Sequence, residues 1–320
     1  MHEPSSILTE GVFITVCLCT RDRPDYVRAC LDGLARQTAG VAVFEIVVVD
    51  SCSRPIVAEE LSAIVATLPN ARLIRADRPG LSVARNAGAN AASGEYVAYL
   101  DDDAIPALDW IAQIRRAISQ SAAKPAALGG RILPLWEAPL PAWWPSRLRG
   151  VLSIIEYEGR GEYRSGDLPP GLAPYGANMI VETAALLAAG GFNEAVGRSG
   201  GNLLSDEDVQ LAWRLQNAGR SVRYDSRIMV WHQIQASRLT PEWLLSRLYW
   251  QGASAVLTRR LLGEARTTRR ETLRRIGVAL LLLPASLVPR GSTKLLGCRW
   301  RLAYSLGYLK ASLSWSSVVG

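Results

Sequence analysis

What most constrains this chain is a series of short apolar segments, each followed by a turn and a helix-like stretch. Residues 14–19 are β-rich and apolar on both faces, and the turn Thr20-Arg21-Asp22-Arg23-Pro24 follows. Pro24 suits the first position of a helix whose buried stripe is Tyr26, Val27, Cys30, Leu31 and Leu34. Residues 44–49 form a second strand ending in Asp50, 55–68 a helix, 72–75 a short strand and 81–92 a helix. Residues 96–100 form a strand that runs into Asp101, Asp102 and Asp103. Strands apolar on both faces and alternating with helices predict an α/β fold, a mainly parallel sheet with helices on both faces. In such sheets ligands bind beyond the carboxyl ends of the strands. Asp50 and the Asp101–Asp103 cluster sit at those ends.

Three successive carboxylates repel one another unless a cation screens them. A hard divalent ion is held by one or two carboxylates plus substrate phosphates. In an extended chain Asp101 and Asp103 share a face and Asp102 points away. A second acidic run, Asp206-Glu207-Asp208, opens a helix over 206–218 that Gly219 ends in a left-handed cap. Ser205 with Asp208 three residues on resembles a capping box. Acids in a first turn favour the helix dipole, yet three exceed what capping needs. Residues 176–181 read as strand or turn, 183–189 as helix, and 221–224 and 228–231 as two short strands leading to His232. Between 134 and 174 the pattern breaks: Trp136, Trp143 and Trp144 stand among seven prolines in a long, irregular excursion.

Rare residues exclude further classes. Two histidines, His2 and His232, rule out a multi-histidine zinc site. Five cysteines lack a disulfide spacing, and Cys17 and Cys19 read as reduced residues on one strand face. Met1, His2, Glu3 and Pro4 lack the basic start of a signal peptide. The uncharged stretch 276–289, interrupted by Pro284, is shorter than the ~20 apolar residues that cross a bilayer. These features predict a cytoplasmic protein.

In this order, ITVCLCTRDRP, EIVVVDSCS, GLSVARNAGANAASGEYVAYLDDDAIP, GANMIVE, GGFNE, SDEDVQLAWRLQNAG and VWH resemble the family 2 inverting glycosyltransferases of GT-A fold. The resemblance covers residues 13–232 and, more loosely, RLYWQGAS at 247–254. It implies a Rossmann-like GT-A catalytic domain over 1–238, with the 134–174 insertion near the acceptor side. The activity it implies is metal-dependent, inverting transfer of a hexosyl or deoxyhexosyl group. The implied donor is a UDP-, GDP- or dTDP-linked sugar, and the implied acceptor a saccharide or lipid-linked saccharide in cell-surface polysaccharide synthesis.

The resemblance also assigns roles. Asp50 matches the acid that binds the nucleobase, and Thr20 and Arg21 line that pocket. Asp101 and Asp103 match the DxD carboxylates that hold Mg²⁺ or Mn²⁺ and the diphosphate, with Asp103 the direct ligand and Asp102 beside them on the donor. Arg85 matches a basic residue near the nucleotide. Asp208 matches the catalytic base, with Glu207 beside it, and His232 and Trp250 line the acceptor side. Trp136, Trp143 and Trp144 are further candidates for stacking on sugar rings. Where the family has a further Asp after Ser53, this chain has Arg54. A sugar nucleotidyltransferase and a non-catalytic nucleotide-sugar-binding protein are the alternatives. The first meets no basic glycine-rich loop near the first strand, and the second does not explain both acidic runs.

The net charge of +7 is unevenly spread. Residues 239–320 carry 13 basic and 3 acidic side chains, whereas 1–238 carry slightly more acids than bases. This split disfavours a nucleic-acid binder and predicts a near-neutral catalytic body with a basic helical extension over 239–320. Within 295–313, aliphatics at 295, 302, 306, 309 and 313 accompany an aromatic stripe of Trp300, Tyr304 and Tyr308, with Lys294, Arg299, Arg301 and Lys310. Together with the apolar segment 276–288, this predicts a helix lying peripherally on an anionic surface, the cytoplasmic face of the inner membrane.

Overall fold

The structure is a computed structural model that describes residues 12–163, 166–169, 172–289 and 291–314. His2 and the N-terminal features noted above lie outside them. The first half builds as its periodicity predicts. Strands β1 (Ile14–Thr20), β2 (Phe44–Asp50), β3 (Ala71–Arg75) and β4 (Tyr96–Asp101) lie parallel in the order β3-β2-β1-β4. β1, β2 and β4 are buried on both faces, as their unbroken apolar runs require, whereas β3 is a half-exposed edge. Helices α1 (Pro24–Ala35) and α2 (Pro55–Val65) each start at a proline. Helix α3 (Leu81–Asn90) crosses β1 and β2 at Gly88, where a Cβ would collide with the Cys17 thiol.

Beyond β4 the sheet becomes mixed. β5 (Ala104–Pro106), β6 (Ala127–Trp136), β7 (Arg160–Glu162), β8 (Met179–Glu182) and β9 (Val222–Ile234) complete it. β8 runs antiparallel between β4 and β6, β9 parallels β6, and β5 and β7 pair antiparallel with β9. The sheet is therefore parallel only through its β3-β2-β1-β4 part and across β6-β9, because hydrophobic runs do not encode strand direction. The two strands expected at 221–224 and 228–231 are one. Its register jumps from Asp225, opposite Gly130, to Met229, opposite Arg131, and the polar residues that looked like a break form this bulge.

Helix α4 (Trp110–Ser119) packs on β9, and α5 (Thr183–Ala188) follows β8. Helix α6 (Glu207–Asn217) starts one residue later than expected and without a capping box. Asp206 adopts a left-handed conformation (φ 73°), and the Ser205 hydroxyl is turned to Asp206 and Ser254. Gly219 takes the positive φ (75°) expected of it.

The 134–174 excursion is packed rather than open. Trp144, Leu152 and Ile154 form a second hydrophobic cluster with Ile234, Leu239, Leu244 and Leu248, and Trp136, Trp143, Trp243 and Trp300 pack against it. Helix α7 (Pro241–Leu261), capped by the Thr240 hydroxyl accepting from the Trp243 amide at 3.2 Å, carries part of this cluster. Then come α8 (Ala265–Leu282), a 3₁₀ turn (Leu283–Leu287) and α9 (Leu296–Ser314).

α9 crosses α7 with two glycines at the contact: a Cβ on Gly252 would strike the Tyr304 carbonyl, and one on Gly307 the Tyr249 carbonyl. Tyr308 and Ser305 are buried, and Tyr304 and Trp300 half-buried. The aromatic stripe expected to meet a membrane therefore faces protein. Exposed apolar surface lies mostly on α8 and the following turn, at Leu273, Ile276, Leu280, Leu281, Leu283 and Leu287, with Leu295, Leu306 and Leu313 of the aliphatic set also exposed. Among the described residues no helix is long and apolar enough to cross a membrane, and all five cysteines are free thiols.

Candidate active site

A cleft of about 620 Å³ opens at the carboxyl ends of β1 and β4. Six carboxylates and seven arginines line it. A cleft with so many charges and more cations than anions is built for an anionic ligand.

Asp101, Asp102 and Asp103 all border the cleft, each in a different setting. Asp101 keeps a third of its side chain exposed and pairs with Arg85 Nη2 at 3.1 Å. Asp102 is buried, accepting from Thr20 Oγ1 at 2.7 Å and Arg23 Nη1 at 2.5 Å. Burial pushes its carboxyl up to about 7, against the pull of Arg23 and with Asp103 adding to the rise. It is turned inward, but the chain turns at Asp102 and Asp103 instead of staying extended, and Arg23 reaches both carboxylates.

Asp103 is equally buried, and Arg23 Nη2 (2.9 Å), Arg238 Nη2 (3.0 Å) and Gln235 Nε2 (3.0 Å) converge on its Oδ2. Burial alone would raise it, but His232, Arg238 and Arg23 hold it well below the usual carboxylate range. His232 Nδ1 donates to the Leu152 carbonyl at 2.9 Å, and its Nε2 lies 3.2 Å from Asp103 Oδ1. An imidazole anchored through one nitrogen presents the other to a cation or an acid.

The start of α6 forms a second wall. Asp208 is buried, and its Oδ2 accepts from the Gly176 amide at 2.7 Å. Burial first, then the charge of Glu207, raise its carboxyl to about 7, against Arg85 and the Gly176 amide. Arg85 joins the two walls: Nη1 bonds Glu207 Oε1 at 2.7 Å while Nη2 holds Asp101. Phe192 and Tyr99 lie beside its guanidinium at 5.4 and 5.9 Å. Gly176 has to be glycine here, because a Cβ would occupy the place of that guanidinium. Asp206 accepts from Gln251 Nε2 at 2.8 and 3.0 Å, and burial raises its carboxyl.

The remaining predicted residues divide. Thr20 and Arg21 border the cleft. Asp50 is buried behind its rim, accepting from the Ser53 amide at 2.8 Å and pairing with Arg75 at 3.1 Å. Arg54, at the position where the family has Asp, turns to Asp22, with contacts of 2.9 and 3.2 Å. Trp250 is not brought to the cleft. Its neighbours one turn apart, Arg247 and Gln251, face the cleft, while its own ring stands edge-on to Tyr249 at 5.6 Å. Trp136, Trp143 and Trp144 belong to the second cluster and likewise leave the cleft.

Several cleft residues escaped sequence reading: Arg23, Arg238, Gly176 and the α7 pair Arg247 and Gln251. The strings TRDRP, GANMIVE and RLYWQGAS contained four of them. Nothing in the sequence marked Arg238.

Comparison with known proteins identifies the segment that carries β1 to β4. Residues 15–130 match the model of the family described as Glycosyl transferase family 2. The chain carries a family 2 glycosyltransferase domain. The family 2 region includes β1 to β4 and the Asp101–Asp103 cluster. The chain is 28% identical over 176 residues to a glucosyl-dolichyl phosphate glucuronosyltransferase of Haloferax volcanii, covering 55% of this chain and 54% of that protein. It is 23% identical over 245 residues to the succinoglycan biosynthesis protein ExoM of Rhizobium meliloti, covering 76% and 74%. Of the first relatives it matches, the chain spans about half the length.

Among solved structures, the mannosyltransferase PcManGT of Pyrobaculum calidifontis, in complex with GDP-Man and Mn²⁺, superposes with a TM-score of 0.57. That pairing has 16% identity and covers 98% of this chain and 77% of that one. The fold around the family 2 domain is thus of GT-A type.

Proposed function

We propose that this chain transfers a glycosyl group from a nucleotide-diphospho-sugar to an acceptor hydroxyl, with inversion at the anomeric carbon. The observation that carries this reading is Asp208, a buried cleft carboxylate raised to about 7 and held by the Gly176 amide, next to Glu207, which Arg85 links to Asp101. A base poised near the working pH is the most effective proton acceptor. In this reading Asp208 takes the proton of the acceptor hydroxyl as its oxygen attacks the anomeric carbon. The bond to the diphosphate breaks on the opposite face, so an α-linked donor gives a β-linked product without a covalent sugar–enzyme intermediate. Glu207 keeps the Asp208 carboxylate basic, and Arg85 keeps Glu207 and Asp101 in place. Thr20 and Arg21 line the nucleoside end, with Asp50 behind them.

A divalent cation, Mg²⁺ or Mn²⁺, fits this donor set. Among the described residues no three His, Cys, Asp or Glu side chains are preassembled as a metal cluster. None is required where one or two carboxylates act with phosphate oxygens. Asp101 and the Oδ1 of Asp103, the oxygen not bound by Arg23, Arg238 and Gln235, would hold it, with His232 Nε2 next to that oxygen. Bound there, it supplies charge stabilisation to the departing diphosphate. The PcManGT complex with GDP-Man and Mn²⁺ supports the pairing of donor and cation.

The names of the Haloferax and Rhizobium relatives support a saccharide or lipid-linked saccharide acceptor in surface polysaccharide synthesis. We keep the division into a catalytic part, 1–238, and a helical extension, 239–320, with α7 shared between cleft and extension. A screen of UDP-, GDP- and dTDP-sugars for Mn²⁺- or Mg²⁺-dependent nucleotide release, with and without membrane extract, tests the reading. Release with one donor class is expected, and none with any donor sinks it.

The extension also supports cytoplasmic-side membrane docking, through α8 rather than α9. Leu280, Leu281 and Leu287 are 69%, 78% and 85% exposed, and Arg269, Arg270 and Arg274 are exposed on the same helix. An apolar stripe with adjacent bases suits an anionic lipid surface. Sedimentation with phosphatidylglycerol vesicles should be salt-sensitive, absent with phosphatidylcholine alone, and lost in Leu280→Glu/Leu281→Glu. Equal sedimentation of that variant would remove α8 from the contact.

A further inference from the structure

Arg247 is the buried arginine of the cleft that lacks an acidic partner. Its side chain projects from α7 beside the start of α6, and the residue is 7% exposed. Nη2 donates to the Ser205 hydroxyl at 3.2 Å, while Nε and Nη1 are buried without a hydrogen-bond partner. The charges of Asp206 and Glu207 favour its cation through space, but neither makes an ion pair with it. Both Asp206 oxygens are taken by Gln251 Nε2, and one also by the Ser205 hydroxyl. By contrast, Arg85 and Arg23 each hold two carboxylates and Arg238 holds Asp103.

Burial depresses the Arg247 guanidinium, and the charge of Arg198 adds to the effect. Arg198 itself is exposed on the glycine-rich loop 197–201, borders the same cleft, and has no ion pair among the described residues. A guanidinium remains charged even when buried, and a buried charge without a partner is strongly unfavourable. A buried guanidinium with two unsatisfied donors, beside an exposed arginine that makes no ion pair among the described residues, therefore favours an anion from outside the chain.

We propose that Arg247 and Arg198 form a subsite for a phosphate-type oxyanion on the α7 wall of the cleft, separate from the Asp101–Asp103 wall. The Arg247 guanidinium, with Nε and Nη1 free to donate, suits the oxygens of a phosphate-type anion. Its position beside Asp206 and Glu207 puts that anion near the proposed base. Two sources share this chemistry: the diphosphate of the donor, and a phosphate carried by a lipid-linked acceptor. The subsite rests on the transferase reading only for the choice between these sources.

The test measures binding by calorimetry in EDTA, which closes any route through a metal on the aspartates. The probes are inorganic pyrophosphate, UDP, GDP and farnesyl phosphate. Wild type is expected to bind pyrophosphate. Arg247→Gln should weaken it roughly tenfold to a hundredfold, the loss expected for a charge-assisted contact. Arg198→Gln, an exposed change that leaves the packing intact, should weaken it several-fold. Loss shared by UDP or GDP assigns the subsite to the donor, and loss with farnesyl phosphate alone assigns it to the acceptor. Unchanged affinity for every probe in both variants, or no pyrophosphate binding by wild type, overturns the subsite. If nucleotides fail to bind even with Mn²⁺ restored, while pyrophosphate binding remains arginine-dependent, the transferase reading fails and the subsite stands.

Discussion

Asp208→Asn is expected to lower kcat for sugar transfer by about 10²–10⁴-fold, the range for loss of a positioned general base. The nucleotide should still bind, because the contacts on the Asp101–Asp103 wall are untouched. The amide is close to isosteric, and its carbonyl can still accept from the Gly176 amide, so the cleft should keep its shape.

The pH dependence provides an independent measure. Burial and Glu207 raise Asp208 to about 7, with Asp206, Tyr175 and Tyr163 facing the same region and Arg85 and the Gly176 amide opposing the rise. Only the ionised form accepts a proton. The wild-type rate should therefore fall about tenfold per pH unit below 7 and level off above it. Asp102, also raised to about 7, could produce a similar limb. Asp102→Asn separates the two, since the limb should persist in that variant. Transfer by Asp208→Asn at the wild-type rate would remove Asp208 as the base.

The parts of this site that were legible in the sequence share one property: each is local. β1, β2 and β4 are unbroken apolar runs, and their flanking acids, Asp50 and Asp101–Asp103, sit at strand ends whatever the strand order. Pro24, Pro55 and Gly219 mark helix boundaries through their own backbone constraints. The features that were not legible depend on distant chain segments meeting. The mixed direction of β6, β8 and β9 depends on pairing, and the bulge after Asp225 appears only against β6.

Arg238 and Arg247 look like two more bases of a basic tail until the chain brings them against Asp103 and Ser205. The tryptophans misled for the opposite reason. Trp144 and Trp143 near prolines resemble an exposed binding surface, but α7 supplies Leu244, Leu248 and Trp243 to cover them. The aromatic stripe of α9 is an interior face for the same reason, since Gly252 and Gly307 let α7 come close enough to cover it.

The largest stability effect should come from Arg85→Met. The side chain is 97% buried by its 3% exposure and joins Glu207 and Asp101, which lie far apart in sequence. Methionine fills much of the volume but leaves Glu207 buried with no cation. Glu207 Oε2 already lacks a hydrogen-bond partner, so the remaining carboxylate has nothing to turn to. Breaking a buried pair by removing one member costs about 3–5 kcal/mol, a large part of the ~5–15 kcal/mol that holds a domain together. The Asp101 arm is a third exposed and contributes little to this, because water takes over when the arginine leaves.

Urea unfolding should show a specific pattern. Arg85→Met should lower the midpoint strongly at pH 7, and Arg85→Met/Glu207→Gln should recover much of the loss, because the stranded charge has been removed. Arg85→Met/Asp101→Asn should recover little. A single-variant loss under about 1 kcal/mol, or equal recovery from both double variants, would show that Arg85 is not the buried link between the two acidic walls.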